Sequence, residues 1–531
     1  MEFAPLAEHI VDAVLEADPL AAYRAGDHRF DHRLPDLSTD AVAADVAMLR
    51  DAAHALSQVD IDGLDLAERV DHEILSSIVD KGIFNRTDLR EHEWNPLKHN
   101  PGPLLQALVD RPFAPLEERL EALAARLVAV PDALAAARTL LDDCPQVHLE
   151  TAVGQFQGVA EFLRDEVPPL VAQVPLLAGV VGPAAERAIE ELEAFSGWLG
   201  RQRGSRDPRL GRKLWEARLW YTLDTELSAA QVLQHAEANL ERVTEQIRAA
   251  ATAIDGSGGS PAAALRRLAE AHPDDATILA MAQQTMDETT EFVREHRLVS
   301  LVGDPCIIRE MPEFDRGVAV AYCDSPGPLE TADVPTFYCI APTPRDWSPE
   351  LVESFYREYN DHMVRNLTVH EAMPGHFLQQ AHSRRYRGST RVRALGSSGV
   401  FIEGWAVYAE QIMAEAGFGG PEVRMQQLKM QLRTTINALL DQLVHCEGLA
   451  EVDAMDLMIE RGFQERGEAA GKWRRALLTS TQLSTYFVGY TEVAAIAAAR
   501  PAGTSPLEWH DAMLAQGSPS PRHVRTLLGL A

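Results

Sequence analysis

The chain has 531 residues, 46% hydrophobic and 24% charged, a composition suited to a globular protein with a large core. Its 79 acidic against 49 basic residues give a formal net charge of −30. That balance argues against nucleic acid or an anionic membrane as partner, because both need basic surface.

Five scattered cysteines without C-x-x-C spacing make neither a disulfide framework nor a cysteine zinc site, and a reducing cytoplasm is the simpler setting. The opening residues, Met1 to His9, lack the basic and apolar regions of a signal peptide. The most apolar run, 170–181, is interrupted by Gln173, Pro175 and Gly179 and is too short to span a bilayer. A soluble, cytoplasmic protein is expected.

Residues 1–299 read as helix after helix. Segment 116–127 has apolar residues at three- and four-residue spacing, and 132–141 and 185–198 repeat the pattern. Punctuation falls at Pro101-Gly102-Pro103, at Gly182-Pro183 and across 203–208; the Gly/Ser-rich 255–261 reads as a surface turn. Between 300 and 345 the texture changes to short β-branched or aromatic runs at 305–309, 318–323 and 336–340, separated by turn residues. A small antiparallel sheet inserted in a mainly α protein is predicted there, with Tyr322 and Tyr338 as ordinary sheet aromatics. Helix resumes in 346–531.

The chemistry is concentrated in His370-Glu371-Ala372-Met373-Pro374-Gly375-His376. In the zinc-hydrolase pattern H-E-x-x-H, two His four apart share a helix face and grip one ion, while the adjacent Glu acts as general base. Here the second His comes two residues late, which turns it about 120° away on a straight helix. Pro374 lacks the N–H that would bond to the carbonyl of His370, and Gly375 tolerates unusual backbone angles. A bulge or break at 374–375 is therefore predicted to swing His376 back toward His370 and Glu371. The alternative is a helix–turn–helix corner with solvated His.

A second stretch, 401–410, reads as a buried helix with acids seven apart. Two-His, one-Glu zinc sites take their third ligand from a following helix, so Glu403 is the candidate ligand. Glu410, two turns on, is a candidate to orient one of the His. Both acids could instead pair with Arg391 and Arg393, but burying them without a partner or a metal is costly.

The runs H-E-A-M-P-G-H-F-L-Q and E-G-W-A-V-Y-A-E resemble the DUF885 family, mainly helical zinc-hydrolase candidates related in pattern to gluzincin peptidases. The segment around Gly26-Asp27-His28-Arg29-Phe30-Asp31 resembles the family's opening, so the likeness covers most of the chain as one unit, 1–531. It implies a large two-lobed helical metallopeptidase-like fold with a deep cleft. Asp441 and His445 resemble a family Asp-then-His pairing, with His445 as an oxyanion donor or the two as a plain helix-surface pair. The run 482–490 resembles the family's late segment, although Thr481 stands where a glycine is expected. A tyrosine opposite the metal is implied, Tyr486 first and Tyr490 second.

These readings combine into a zinc-dependent hydrolase with one Zn²⁺ per chain on His370, His376 and Glu403. Glu371 is the base, His445 and Tyr486 stabilise the oxyanion, and the substrate is a short peptide or another small amide. The alternatives are a metal-dependent hydrolase or lyase for a non-peptide small molecule, and an inactive helical binding protein.

Overall fold

The structure is a computed structural model that describes residues 2–256, 259–312, 316, 320–345 and 347–530. Helix dominates throughout, as the apolar spacing predicts, and the residues divide into two compact units. The first comprises Met1–Pro208, Pro326–Val334 and Arg387–Gly396; the second holds Arg209–Ser325, Pro335–Tyr386 and Ser397–Ala531. The first unit thus runs through Pro208 and draws in two short later segments.

In the first unit the helices Leu116–Leu140, Gln146–Val171 and Ala178–Arg201 share a core. Phe156 and Phe195 meet at its centre with ring centroids 4.8 Å apart. Segment 116–127 and residues 132–140 belong to one helix that runs through Pro131, and Pro183 likewise lies inside a helix. The expected punctuation at Gly182-Pro183 therefore does not end an element. Each proline forfeits one backbone bond, but burying a whole apolar face outweighs that loss. Segment Arg387–Gly396 is anchored by Arg393, which donates to Asp71 at 2.8 Å with both side chains buried. Its neighbour Arg391 pairs with Glu8 and Asp12. Neither arginine is spent on the acids of the 401–410 stretch.

The second unit carries the sheet and the two central motifs. Its strands are β1 (Cys306–Glu310), β2 (Ala321–Asp324) and β3 (Thr336–Ile340), in the order β1-β3-β2. The predicted run 318–323 begins at positions 318 and 319, which lie outside the described residues, as do positions 257 and 258 of the 255–261 turn. β2 pairs with β3 antiparallel, Ala321 opposite Ile340, but β1 pairs with β3 in parallel, Cys306 opposite Thr336. The sheet is mixed, which corrects the antiparallel expectation. Direction does alternate along the chain; the last strand then inserts between the first two and lies parallel to β1.

Against this sheet packs helix Asp361–Glu371, and the buried Tyr338 hydroxyl lies 3.2 Å from Thr368 Oγ1. Tyr338 is a core aromatic, whereas Tyr322 lines a cavity. Asn360 starts the helix by accepting from the backbone N–H of His362 and Met363, as an N-cap does. Helices Gly399–Glu415, Gly420–Glu447 and Ser484–Ala498 complete the surround. Among the described residues no helix is long and apolar enough to cross a membrane.

Candidate metal centre

Helix Asp361–Glu371 ends directly after the H-E pair, and a new helix, His376–Ser383, begins at the second His. Between them the Met373–Pro374 peptide is cis. The two extra residues are absorbed by bonds that reach further back than a helix allows. Gly375 N–H donates to Val369 O at 3.0 Å and Leu378 N–H to Ala372 O at 3.3 Å, six residues back in each case. Gly375 serves here less for its backbone angles than for its lack of a side chain, since a Cβ there would lie 1.9 Å from His370 O. The corner is clasped by Trp405, whose indole N–H donates to Pro374 O at 2.9 Å. One motif therefore holds the other in shape.

The result brings the two imidazoles together edge to face, with centroids 4.7 Å apart. Both Nε2 atoms, of His370 and of His376, lie 3.5 Å from Glu403 Oε2. Ligands bound tetrahedrally to zinc at about 2.0–2.1 Å stand about 3.4 Å from each other, so the spacing fits that ion. Ligand atoms of the three residues all lie within 4.8 Å of one another. Glu403 Oε2 is buried and has no hydrogen-bond partner, an orphaned acceptor pointing at the shared centre. The donor set and this orphan both suit a divalent cation.

The surroundings tune the set. His370 Nδ1 meets Glu410 Oε1 at 2.7 Å, and Asn366 donates to the other oxygen of Glu410 at 2.6 Å. Glu410 is almost fully buried, so it fixes the His370 tautomer that leaves Nε2 free for a metal. Burial opposes charge on both partners. The two carboxylates nonetheless raise the His370 pKa well above its ordinary value, and the two imidazoles hold Glu403 well below the carboxylate range. For Glu371 the balance reverses. Burial pushes its carboxyl up, and the attraction of His370 and His376 only partly offsets this.

Glu403 sits where it does because of glycine. A Cβ on Gly404 would lie 2.3 Å from Gly489 C, and one on Gly489 would lie 2.1 Å from Val400 O. The Gly399–Glu415 and Ser484–Ala498 helices thus touch backbone to backbone, one residue from Glu403 and three from Tyr486. Tyr486 lines the same cavity as His370, Glu371, His376 and Glu403, a space of about 390 Å³ that also reaches Tyr322 and Cys323 of β2.

The Tyr486 hydroxyl accepts from Arg475 at 3.1 Å and from Gln482 at 3.3 Å, and burial raises its pKa. Tyr490, the second choice, does not reach the cavity; its hydroxyl donates to Gln411 at 2.6 Å.

His445 is not brought to the site. Its Nδ1 accepts from Leu210 N–H, and its Nε2 donates to Ala476 O and Thr479 O, so both nitrogens are spent on backbone. Nor does Asp441 orient it. Asp441 accepts from Trp215 Nε1, from the backbone N–H of Thr481 and Ser484, and from the Ser484 hydroxyl. Four-residue spacing puts both on one helix face, but that face is buried at a helix junction and not at the cavity. Asp441 also anchors Thr481, whose φ of +64° explains why a glycine is expected at that position.

Sequence reasoning missed the Asn366 bond, although Asn366 lies one turn before His370 and i, i+4 spacing points to it. It also missed Arg475 and Lys472, which line the cavity from helix Arg466–Leu478 and carry no pattern that separates them from surface charges.

Two solved structures are similar over nearly the whole chain. A protein from Shewanella oneidensis, described as a lipoprotein of unknown function, is 27% identical, covers 99% of this chain and 100% of its own, and gives a TM-score of 0.79. A protein from Colwellia psychrerythraea, also described as a lipoprotein, is 16% identical over 99% and 98%, with a TM-score of 0.81. The M32 carboxypeptidase from Deinococcus radiodurans R1 is 15% identical over 92% and 90%, with a TM-score of 0.30, below the level of a shared fold. No curated protein matches the chain. Residues 19–528 match one family model, and the chain belongs to that family, the bacterial proteins of unknown function designated DUF885.

Proposed function

We propose that the protein is a zinc-dependent hydrolase that cleaves an amide bond in short peptides or similar small amides. One observation carries the reading: two imidazole Nε2 atoms and a carboxylate converge at 3.5 Å on the wall of a cavity, with the buried Glu371 lining the same cavity. His370, His376 and Glu403 hold the ion, which when bound supplies Lewis acidity to the carbonyl and makes water more acidic. Glu371 takes the proton from the attacking water and returns it to the leaving amine. Its carboxyl is buried and lines the cavity beside both imidazoles, which suits a group that must both accept and release a proton there. The Tyr486 oxygen already accepts two hydrogen bonds, so its own proton is free to donate toward a developing oxyanion. Among the described strands β2 pairs only with β3, so its outer edge, at the cavity through Tyr322 and Cys323, offers main-chain groups to an extended peptide.

Replacing Glu371 with Gln tests the assignment. Metal content is expected to stay near the wild-type value while turnover of a peptide library falls by about 10²–10⁴-fold. Unchanged turnover would remove Glu371 as base. A cytoplasmic setting fits the five free cysteines, and cell fractionation checks it.

A further inference from the structure

The cavity that holds the candidate metal centre has a second wall of opposite character. Arg433, Lys472 and Arg475 all line it; among the described residues Glu468 is the carboxylate in ion-pair reach of them, and the charge of Glu358 also acts on Arg433 and Lys472. Arg433 is bound to Glu468 and also donates to the Tyr359 hydroxyl at 3.2 Å. Lys472 Nζ stands 4.0 Å from the same carboxylate, a distance without a strong bond. Among the described residues the hydrogen-bond partners of Arg475 are neutral, Gln482 at 2.8 Å and Tyr486 at 3.1 Å, and Glu468 acts on it at longer range.

Three basic side chains thus face one cavity with one carboxylate in ion-pair reach of two of them, across from the metal-site acids Glu371 and Glu403, in a chain whose net charge is −30. Lys472 is buried, and burying an ammonium without a matching anion is costly. Burial first, and then crowding by Arg433, pushes its pKa well below the ordinary value, and Glu468 and Glu358 offset this only in part. Positive charge left uncompensated in a cavity beside a hydrolytic centre is what recognition of an anionic substrate group requires.

We infer that the wall formed by Arg433, Lys472 and Arg475 binds a carboxylate of the substrate while the amide to be cleaved sits at the His370, His376 and Glu403 cluster. The inference rests on the proposed hydrolase for the cleavage and on the cation wall alone for the binding. At about 390 Å³ the cavity falls within the roughly 300–1,000 Å³ of small-molecule sites and suits the end of a short peptide. Two carboxylates have this chemistry, the chain-terminal group and an acidic side chain next to the cleaved bond. Arg475 ties the wall to Tyr486, so a bound carboxylate also reaches the group proposed to face the oxyanion.

Three probes separate the cases by calorimetry on zinc-loaded protein: N-acetylalanine, N-acetylalaninamide and the α-amide of N-acetylglutamate. A carboxylate probe is expected to bind about 10–100-fold tighter than the neutral amide, as for hydrogen bonds to charged groups. Whichever of the two carboxylate probes shows the advantage identifies the source. In Lys472→Met, which removes a crowded charge at similar volume and whose folding is checked by thermal melt, that advantage should shrink about tenfold. In His376→Ala it should persist, which separates the wall from direct binding to the metal. Equal binding of acid and amide, or an advantage untouched by Lys472→Met, would overturn the inference.

Cleavage of an N-acetyl dipeptide and its C-terminal amide, together with a peptide carrying an acidic side chain, separates the two readings. Hydrolysis indifferent to both kinds of carboxylate upholds the hydrolase and overturns the carboxylate site. Carboxylate-selective binding with no cleavage does the reverse.

Discussion

Gly375 is the position at which one added methyl group should do most harm. A Cβ there would lie 1.9 Å from His370 O, 2.4 Å from Val369 O and 2.5 Å from His370 C. All three are backbone atoms of the helix that carries the first His, so no side chain can swing aside to make room. Relief requires the corner to open by more than about 1 Å, and overpacking of this kind costs about 1–3 kcal/mol. Opening also breaks the bond from Gly375 N–H to Val369 O, worth about 1 kcal/mol. Gly375→Ala should therefore destabilise the second unit by about 2–4 kcal/mol.

The larger effect should fall on metal affinity. Opening the corner displaces His376 relative to His370, and metal sites tolerate misplacement of only about 0.5 Å. A zinc dissociation constant at least about 100-fold weaker is expected, read by competition with a chromophoric chelator and alongside the melting temperature. Gly154→Ala is the control. Gly154 is exposed within helix Gln146–Val171 with nothing within 4 Å of an added Cβ, and alanine there should stabilise by about 0.5–1 kcal/mol. A Gly375→Ala protein with wild-type melting and zinc affinity would refute the claim that close backbone approach makes the corner.

Two other positions give independent tests. Glu410→Gln removes the buried carboxylate that meets His370 Nδ1 at 2.7 Å, and zinc affinity should fall about 10–100-fold with the fold intact; undiminished affinity would show that Glu410 does not tune the ligand. For Glu492, burial raises the pKa from 4.5 to about 7, with Thr225 donating to it only as a partial offset. The folded chain therefore holds this proton more tightly than the unfolded one, and stability falls as pH rises from about 4.5 through 7. Glu492→Gln should raise stability by up to about 3 kcal/mol at pH 8 and have little effect at pH 4.5, measured by melts across that range. A pH-independent difference would contradict the assignment.

The parts of this site legible in the sequence are those set by local spacing plus metal chemistry. The mismatch between H-E-x-x-P-G-H and a helix's period is enough to call for a break at 374–375, and a seven-residue interval is enough to put Glu403 and Glu410 on one helix. What spacing leaves open is which neighbour a helix face meets. Asp441 and His445 share a face as expected, yet it packs against Trp215, Ser484 and the backbone near Thr479 and turns away from the cavity.

The sheet lies where the strand runs put it, but its parallel pairing was not legible, for a related reason. Strand identity and direction are local, but spatial order depends on where the last strand inserts, which neither turn residues nor alternation encode. The bond from Trp405 to Pro374 and the contact of Gly404 with Gly489 join motifs far apart in sequence. Each glycine or tryptophan looks ordinary until the other side of the contact is known.

The central claim is that His370, His376 and Glu403 form one metal site across a helix break. Metal content of the purified protein beside His376→Ala and Glu403→Ala, measured by plasma mass spectrometry after chelator-free purification, tests it most directly. The account predicts about one zinc per chain in the wild type and loss of that zinc in each variant. Wild-type protein without stoichiometric metal, or variants that retain it, would contradict the site.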